Sequence, residues 1–188
     1  MPIPLGILAA AGVRPAAGGS YELIETITVG SGGAASVTFS NLNTYSTTYQ
    51  HLQIRAVARD SRSQIFAVTN LTLNNDTGNN YADHGLRGNG SSVSSGASTS
   101  RANIRFENSG NTAGGFGAAI IDLLDPYEAK NKTLRILFGR PESGDNVIQL
   151  TSGLYMNTAA VSSIKLTPDG GFNYVQGSRF SIYGLKAS

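Results

Sequence analysis

Apolar and polar positions along this chain alternate with a period of two, in short runs of 6–10 residues from Tyr21 to Leu185. The clearest run is His51 to Arg59. There Leu52, Ile54, Ala56 and Ala58 point one way, and His51, Gln53, Arg55, Val57 and Arg59 the other. A period of two with one exception marks a strand with a single buried face. Ile65 to Leu73 repeats it, with Ile65, Ala67, Thr69, Leu71 and Leu73 set against Phe66, Val68 and Asn70. Further strands are predicted at Tyr21–Val29, Ala34–Phe39, Ala102–Glu107, Phe116–Leu124, Thr133–Arg140, Val147–Met156, Val161–Leu166 and Gly177–Leu185. In the first, Leu23, Ile27 and Val29 are expected on one face, with Thr26 and Thr28 on the other. No long helical pattern interrupts the series.

Gly-, Ser- and Asn-rich connections separate the runs. The stretch from Asn74 to Ser100 is nearly free of large apolar residues and reads as a long loop, and long loops are often functional. Nine or ten strands with unevenly spaced connections predict two packed antiparallel sheets in Greek-key order, a jelly-roll-like sandwich. An immunoglobulin-like sandwich fits less well, because the Cys–Trp–Cys framework is missing. The predicted organisation is an extended N-terminal arm over residues 1–19 and a β-sandwich domain over 20–188. In the arm, Pro2, Pro4 and Pro15 favour extended backbone, and Ile3, Leu5, Ile7, Leu8 and Val13 are poorly suited to water. The expectation is an interaction arm carried by Ile3, Pro4, Leu5, Ile7, Leu8 and Val13, packing on a neighbouring subunit or on its own body.

Composition narrows the function classes. With no Cys among 188 residues, disulfides and thiolate metal sites are excluded. Charged residues make up only 14%, against ~25% in ordinary domains. Such a weakly charged, Gly-rich surface suits contact with other protein. A net charge of +2, without any run of Lys or Arg, does not suggest a nucleic-acid partner. No stretch reaches the ~18 apolar residues of a membrane span. The segment MPIPLGILAAAG lacks the basic residue that opens a signal peptide.

Candidate chemistry is sparse. His51 reads as strand packing. His84 lies beside Asp83 in Tyr-Ala-Asp-His-Gly, without a nucleophile setting to match. Asn74, Asn75, Asp76 and Asn79 are oxygen ligands that calcium accepts, but their spacing departs from the EF-hand pattern and suits a turn. Asp122, Asp125, Glu128 and Glu142 have ordinary loop spacing, not that of a dedicated acid pair. Gly110–Gly117 lacks the Lys-Ser/Thr ending of a phosphate loop and reads as a flexible link. The expectation is a protein without catalytic residues, cofactor or metal.

Three stretches resemble small virion proteins of tailed bacteriophages. They are Ser20 to Val29 (SYELIETITV), Ser36 to Leu42 (SVTFSNL) leading to Tyr49–Arg55 (YQHLQIR), and Gly177 to Lys186 (GSRFSIYGLK). The resemblance implies a jelly-roll capsid cement or decoration subunit. Such a subunit is assembled in the host cytoplasm and bound in the virion to the major capsid protein and to copies of itself, commonly as a homotrimer. It also implies an alternative, a tail- or head-fibre or adaptor module that binds host surface glycans. For that alternative the candidate receptor loop is Tyr81, His84, Arg87 and Asn89.

Overall fold

A computed structural model describes residues 20–110, 115–140 and 146–186. The arm residues Ile3, Pro4, Leu5, Ile7, Leu8 and Val13 lie outside that range, as does Glu142. Twelve strands occur among the described residues: β1 (Tyr21–Thr28), β2 (Val37–Phe39), β3 (His51–Ala58), β4 (Phe66–Leu73), β5 (Tyr81–Gly88), β6 (Val93–Arg101), β7 (Ile104–Ser109), β8 (Gly117–Leu124), β9 (Lys132–Arg140), β10 (Val147–Tyr155), β11 (Ile164–Pro168) and β12 (Arg179–Leu185). They form an eight-stranded sheet, ordered β1-β12-β3-β8-β9-β10-β5-β6, and a four-stranded sheet, ordered β2-β11-β4-β7. Every strand pair in both sheets is antiparallel.

Without the hairpins β5–β6 and β9–β10, the remaining eight strands behave as one long hairpin rolled on itself. β1 pairs with β12, β2 with β11, β3 with β8 and β4 with β7, and successive pairs alternate between the sheets. This is the jelly roll that the uneven connections predict. The two extra hairpins both add to the β8 side of the large sheet, which therefore runs past the small one.

Between the sheets lies one core. Leu52, Ile54, Phe180, Ile182, Ile121, Leu134, Ile136 and Phe138 come from the large sheet, and Phe39, Leu71, Leu73, Phe106, Ile164 and Leu166 from the small. The inward rows of β3 and β4 are those the alternation predicts: Leu52, Ile54, Ala56 and Ala58, then Ala67, Thr69, Leu71 and Leu73. Three ionisable side chains are also buried among the described residues: Asp60, whose Oδ1 accepts from Arg62 N–H at 3.0 Å, Lys132 and Arg140. The Lys132 ammonium donates to the carbonyls of Glu128 (2.6 Å), Lys130 (2.5 Å) and Thr158 (3.3 Å). Arg140 Nε donates to Glu107 Oε2 at 2.9 Å.

Three readings are corrected. In β1 the register slips between Leu23 and Glu25, so Ile24 and Ile27 pack against the core while Leu23 is exposed. A bulge adds a residue, and every side chain beyond it changes face. Asn74–Ser100 is not one long loop, because β5 and β6 occupy most of it. The β6 sequence VSSGASTSR shows no alternation because most of its residues face water on both sides of the sheet. Gly110 is not a loose hinge. A Cβ there would lie 2.0 Å from the Gln64 carbonyl oxygen, and the Gly110 N–H donates to Ile65 O at 2.8 Å.

Candidate functional site: an apolar sheet face and a polar groove

Strand register builds two features on the overhanging part of the large sheet. On its outer face the cross-strand partners Ile120, Leu137, Leu150 and Leu86 form a row over β8, β9, β10 and β5. The next row runs Val57, Ala118, Gly139, Ile148, Gly88 and Val93. Within these rows Val93 is 74% exposed, Ile148 60% and Leu86 55%. Single exposed apolar residues are ordinary, whereas a contiguous block is the mark of an interaction surface. A shallow depression of about 340 Å³ lies in it, walled by Val57, Ala118, Ile120, Leu137 and Ile148.

A polar row borders the block: Gln53, Asp122, Arg135, Ser152 and His84. Its members are tied together. Arg135 donates to Asp122 Oδ2 from Nε (3.1 Å) and Nη2 (2.8 Å), and Gln53 Nε2 donates to Asp122 Oδ1 at 2.7 Å. Arg55 Nε donates to Gln53 Oε1 at 3.0 Å, and the Arg55 guanidinium sits over the rings of Tyr183 and Tyr21, at 4.8 and 5.5 Å. An apolar centre with a polar, pre-ordered rim is the anatomy of a protein–protein contact. Tyr21 opens β1, and its ring lies on this face against Arg55.

On the opposite side of the same strands lies a groove between the β5–β6 hairpin and β7. One part, about 300 Å³, is lined by Asp83, Gly85, Arg87, Ser94, Gly96 and Arg101. A second, about 190 Å³, is lined by Arg105, Phe106, Glu107 and Phe138. The two parts adjoin each other, with Arg101 and Gln149 in the wall of both.

The four residues named as a receptor loop do not form one surface. Tyr81 is fully buried. Its ring stacks on Tyr155 with centroids 4.8 Å apart, and its hydroxyl accepts from Leu73 N–H at 2.9 Å. That apolar setting pushes the phenol pKa far up. His84 and Arg87 are on β5 and point to opposite sides, His84 to the outer face and Arg87 into the groove. Asn89 is spent on the β5–β6 turn, where its Oδ1 accepts from the Ser91 and Ser92 N–H groups at 3.1 and 2.8 Å.

The Asn74–Asn80 segment is a turn closed by its own carboxylate. Asp76 accepts from Gly78 N–H (2.8 Å), Asn80 Nδ2 (2.8 Å) and Tyr155 OH (3.0 Å). The Asn80 amide and the Gly78 N–H hold the Asp76 pKa below its usual range. Asn74 and Asn75 take left-handed backbone, as Asn does readily. Among the described residues no group of three or more His, Asp or Glu is placed to hold a metal ion, and no helix is long and apolar enough to cross a membrane.

No family model, no curated protein and no solved structure matches this chain.

The outer face was missed in the sequence because its residues come from six separate strands. Ile120, Leu137 and Ile148 each look like one stray apolar residue on the polar side of an alternating run. Only register brings them together. A usable signal was the combination of an apolar inward set with Val or Leu at outward positions in β3, β8, β9 and β10.

Proposed function

We propose that this protein is a structural assembly subunit without catalytic activity, a capsid cement or decoration protein of the kind the resemblance implies. Its partners are copies of itself and the major capsid protein. The observation that carries this reading is the uncovered apolar block on the outer face of the large sheet. Its occupant is the apolar segment ahead of Ser20, supplied by a neighbouring copy. Ile3, Leu5, Ile7 and Leu8 complement an aliphatic surface. At ~3.3 Å per extended residue, nineteen residues reach ~60 Å. Three strand spacings, ~14 Å, separate β1 from β8. The arm is therefore far longer than its own face requires, and long enough to reach a neighbour.

The test is a complementation experiment on two variants of the full chain. One lacks residues 2–19. The other carries Ile120→Thr, Leu137→Thr and Ile148→Thr. Each alone is expected to sediment as a monomer where the unaltered chain associates. Mixed, they are expected to form a heterocomplex, since one supplies an intact arm and the other an intact face. An unaltered chain that stays monomeric, or a mixture that stays monomeric, overturns exchange of arms between copies.

A further inference from the structure

We propose that the groove beneath the β5–β6 hairpin binds a carboxylate-bearing saccharide. This is independent of the assembly reading, because the groove opens on the other side of the strands that carry the apolar face.

The sequence makes the groove in two ways. The β5–β6 hairpin extends past β7, the last strand of the four-stranded sheet, so among the described residues its inner side is only partly covered. The paired positions Gly85 and Gly96, with Ser94 alongside, leave its floor without bulk. A Cβ at Gly85 would fall 2.6 Å from Gln149 Nε2, so the glycine lets the amide lie across the floor. At Gly96 a Cβ would meet nothing within 4 Å.

The lining decides the ligand class. Arg87, Arg101 and Arg105 supply guanidinium donors. Arg101 Nε is 3.1 Å from Asp83 Oδ2, Arg105 Nη2 is 3.0 Å from Asp169 Oδ2, and Arg87 Nη2 is 3.7 Å from Glu107 Oε1. These are ion pairs, and at 3.7 Å the Arg87 contact is too long to be a hydrogen bond, so most of the five donors on each guanidinium are not engaged by them. The Nε groups of Arg87 and Arg105 are buried without a hydrogen-bond partner. Guanidinium is the side chain best shaped to hold a carboxylate through two parallel hydrogen bonds.

The groove also presents acceptors, the carboxylates of Asp83 and Glu107, and the two-way groups of Gln149 and Ser94. A ligand that satisfies this set must both donate and accept along its length, as a chain of sugar hydroxyls does. A phosphodiester backbone has nothing to donate to Asp83 and Glu107, whereas the hydroxyls of a uronate do. No exposed aromatic ring lines the groove, so base stacking has no platform. At about 300 Å³, the part under the hairpin alone is far larger than an inorganic anion needs.

The experiment titrates the full chain with digalacturonate and follows backbone amide shifts by NMR. Galactobiose serves as the uncharged counterpart, and acetate and sulfate serve as bare anions. Digalacturonate is expected to saturate with a dissociation constant in the millimolar range or tighter, shifting Arg87, Arg101 and Gln149 and not Ile120 or Leu137. Galactobiose, acetate and sulfate are expected to bind at least about 10-fold more weakly. Arg87→Ala should weaken digalacturonate by about 10-fold or more, while His84→Ala, on the other side of the same strand, leaves it unchanged. Gly96→Phe fills the groove from an exposed position and should abolish binding even if Arg87→Ala perturbs the fold. No saturable shift with digalacturonate, equal binding of the bare anions, or survival of binding in Gly96→Phe would overturn the proposal. So would shifts confined to the exposed β6 edge, outside the groove.

Discussion

Substituting Ile120, Leu137 and Ile148 together by Thr tests the apolar face most directly. The three residues sit on adjacent strands and retain 42, 45 and 60% of their surface in the isolated subunit. Fully burying such a side chain is worth ~1.5–3 kcal/mol, so covering the remaining half gives ~1 kcal/mol each. Loss of all three removes ~3 kcal/mol of association, or about two orders of magnitude in the dissociation constant. Threonine keeps the preference for strand, and the part of each side chain already packed costs the fold ~1 kcal/mol or less per site. Sedimentation equilibrium over a dilution series, run well below the unfolding transition, measures the association constant. Circular dichroism reports the fold in the same samples. A folded triple variant that associates as tightly as the unaltered chain would refute the claim that this face is the contact.

Three further outcomes concern the body itself. Lys132→Met removes a buried ammonium that ties together the carbonyls of the loop residues Glu128, Lys130 and Thr158 and should cost ~3 kcal/mol, read as a melting temperature lower by about 10 °C; a shift under about 2 °C would mean that water or other donors replace it. Gly184→Ala places a Cβ 2.2 Å from the Tyr49 ring and must displace the Tyr49 hydroxyl from Glu22 Oε2, now 2.9 Å away, at a cost of ~1–3 kcal/mol in urea unfolding. Burial pushes the phenols of Tyr127 and Tyr155 up to about 12 from an unfolded value near 10. Their contribution to stability is therefore complete below pH ~10 and lost as the pH rises through ~12, and phenolate absorbance should lag in the folded protein and appear as it unfolds. Ionisation of all tyrosines near pH 10 in a chain still folded would contradict that burial.

The body of the fold was legible where a strand has one wet face. β3, β4, β9 and β12 alternate because one side meets the core and the other meets water, and Leu134, Ile136 and Phe138 fall where the pattern puts them. The pattern fails where that asymmetry is absent. β6 has water on both faces over most of its length, so Ser and Gly suffice and no period survives. β1 carries a bulge, which no single-strand pattern encodes, and Leu23 exchanges faces with Ile24. The functional features are illegible for a related reason. Arg87, Arg101 and Arg105 are separated in sequence, and nothing local says that they meet. Tyr81 looks like a surface aromatic in a polar stretch, yet it plugs the end of the core against Tyr155.

A single topological event accounts for both surfaces. The rolled eight-stranded hairpin alone would give two sheets of four strands, β1-β12-β3-β8 facing β2-β11-β4-β7, each covering the other. Inserting β9–β10 after β8 and β5–β6 after β4 doubles only the large sheet. The added strands pack their inner side on the core near β9, where Leu134, Ile136 and Phe138 are buried. Further out the small sheet ends at β7, and among the described residues no strand packs under β6 as β7 does under β9. The outer side of those same strands holds most of the apolar block, and the partly covered inner side is the groove. A jelly roll whose two sheets matched would have neither. On the two proposals the insertions are the interaction elements carried on a closed core, and removing the β5–β6 hairpin should erase the groove while sparing the pairing of β1 with β12, β3 with β8 and β4 with β7.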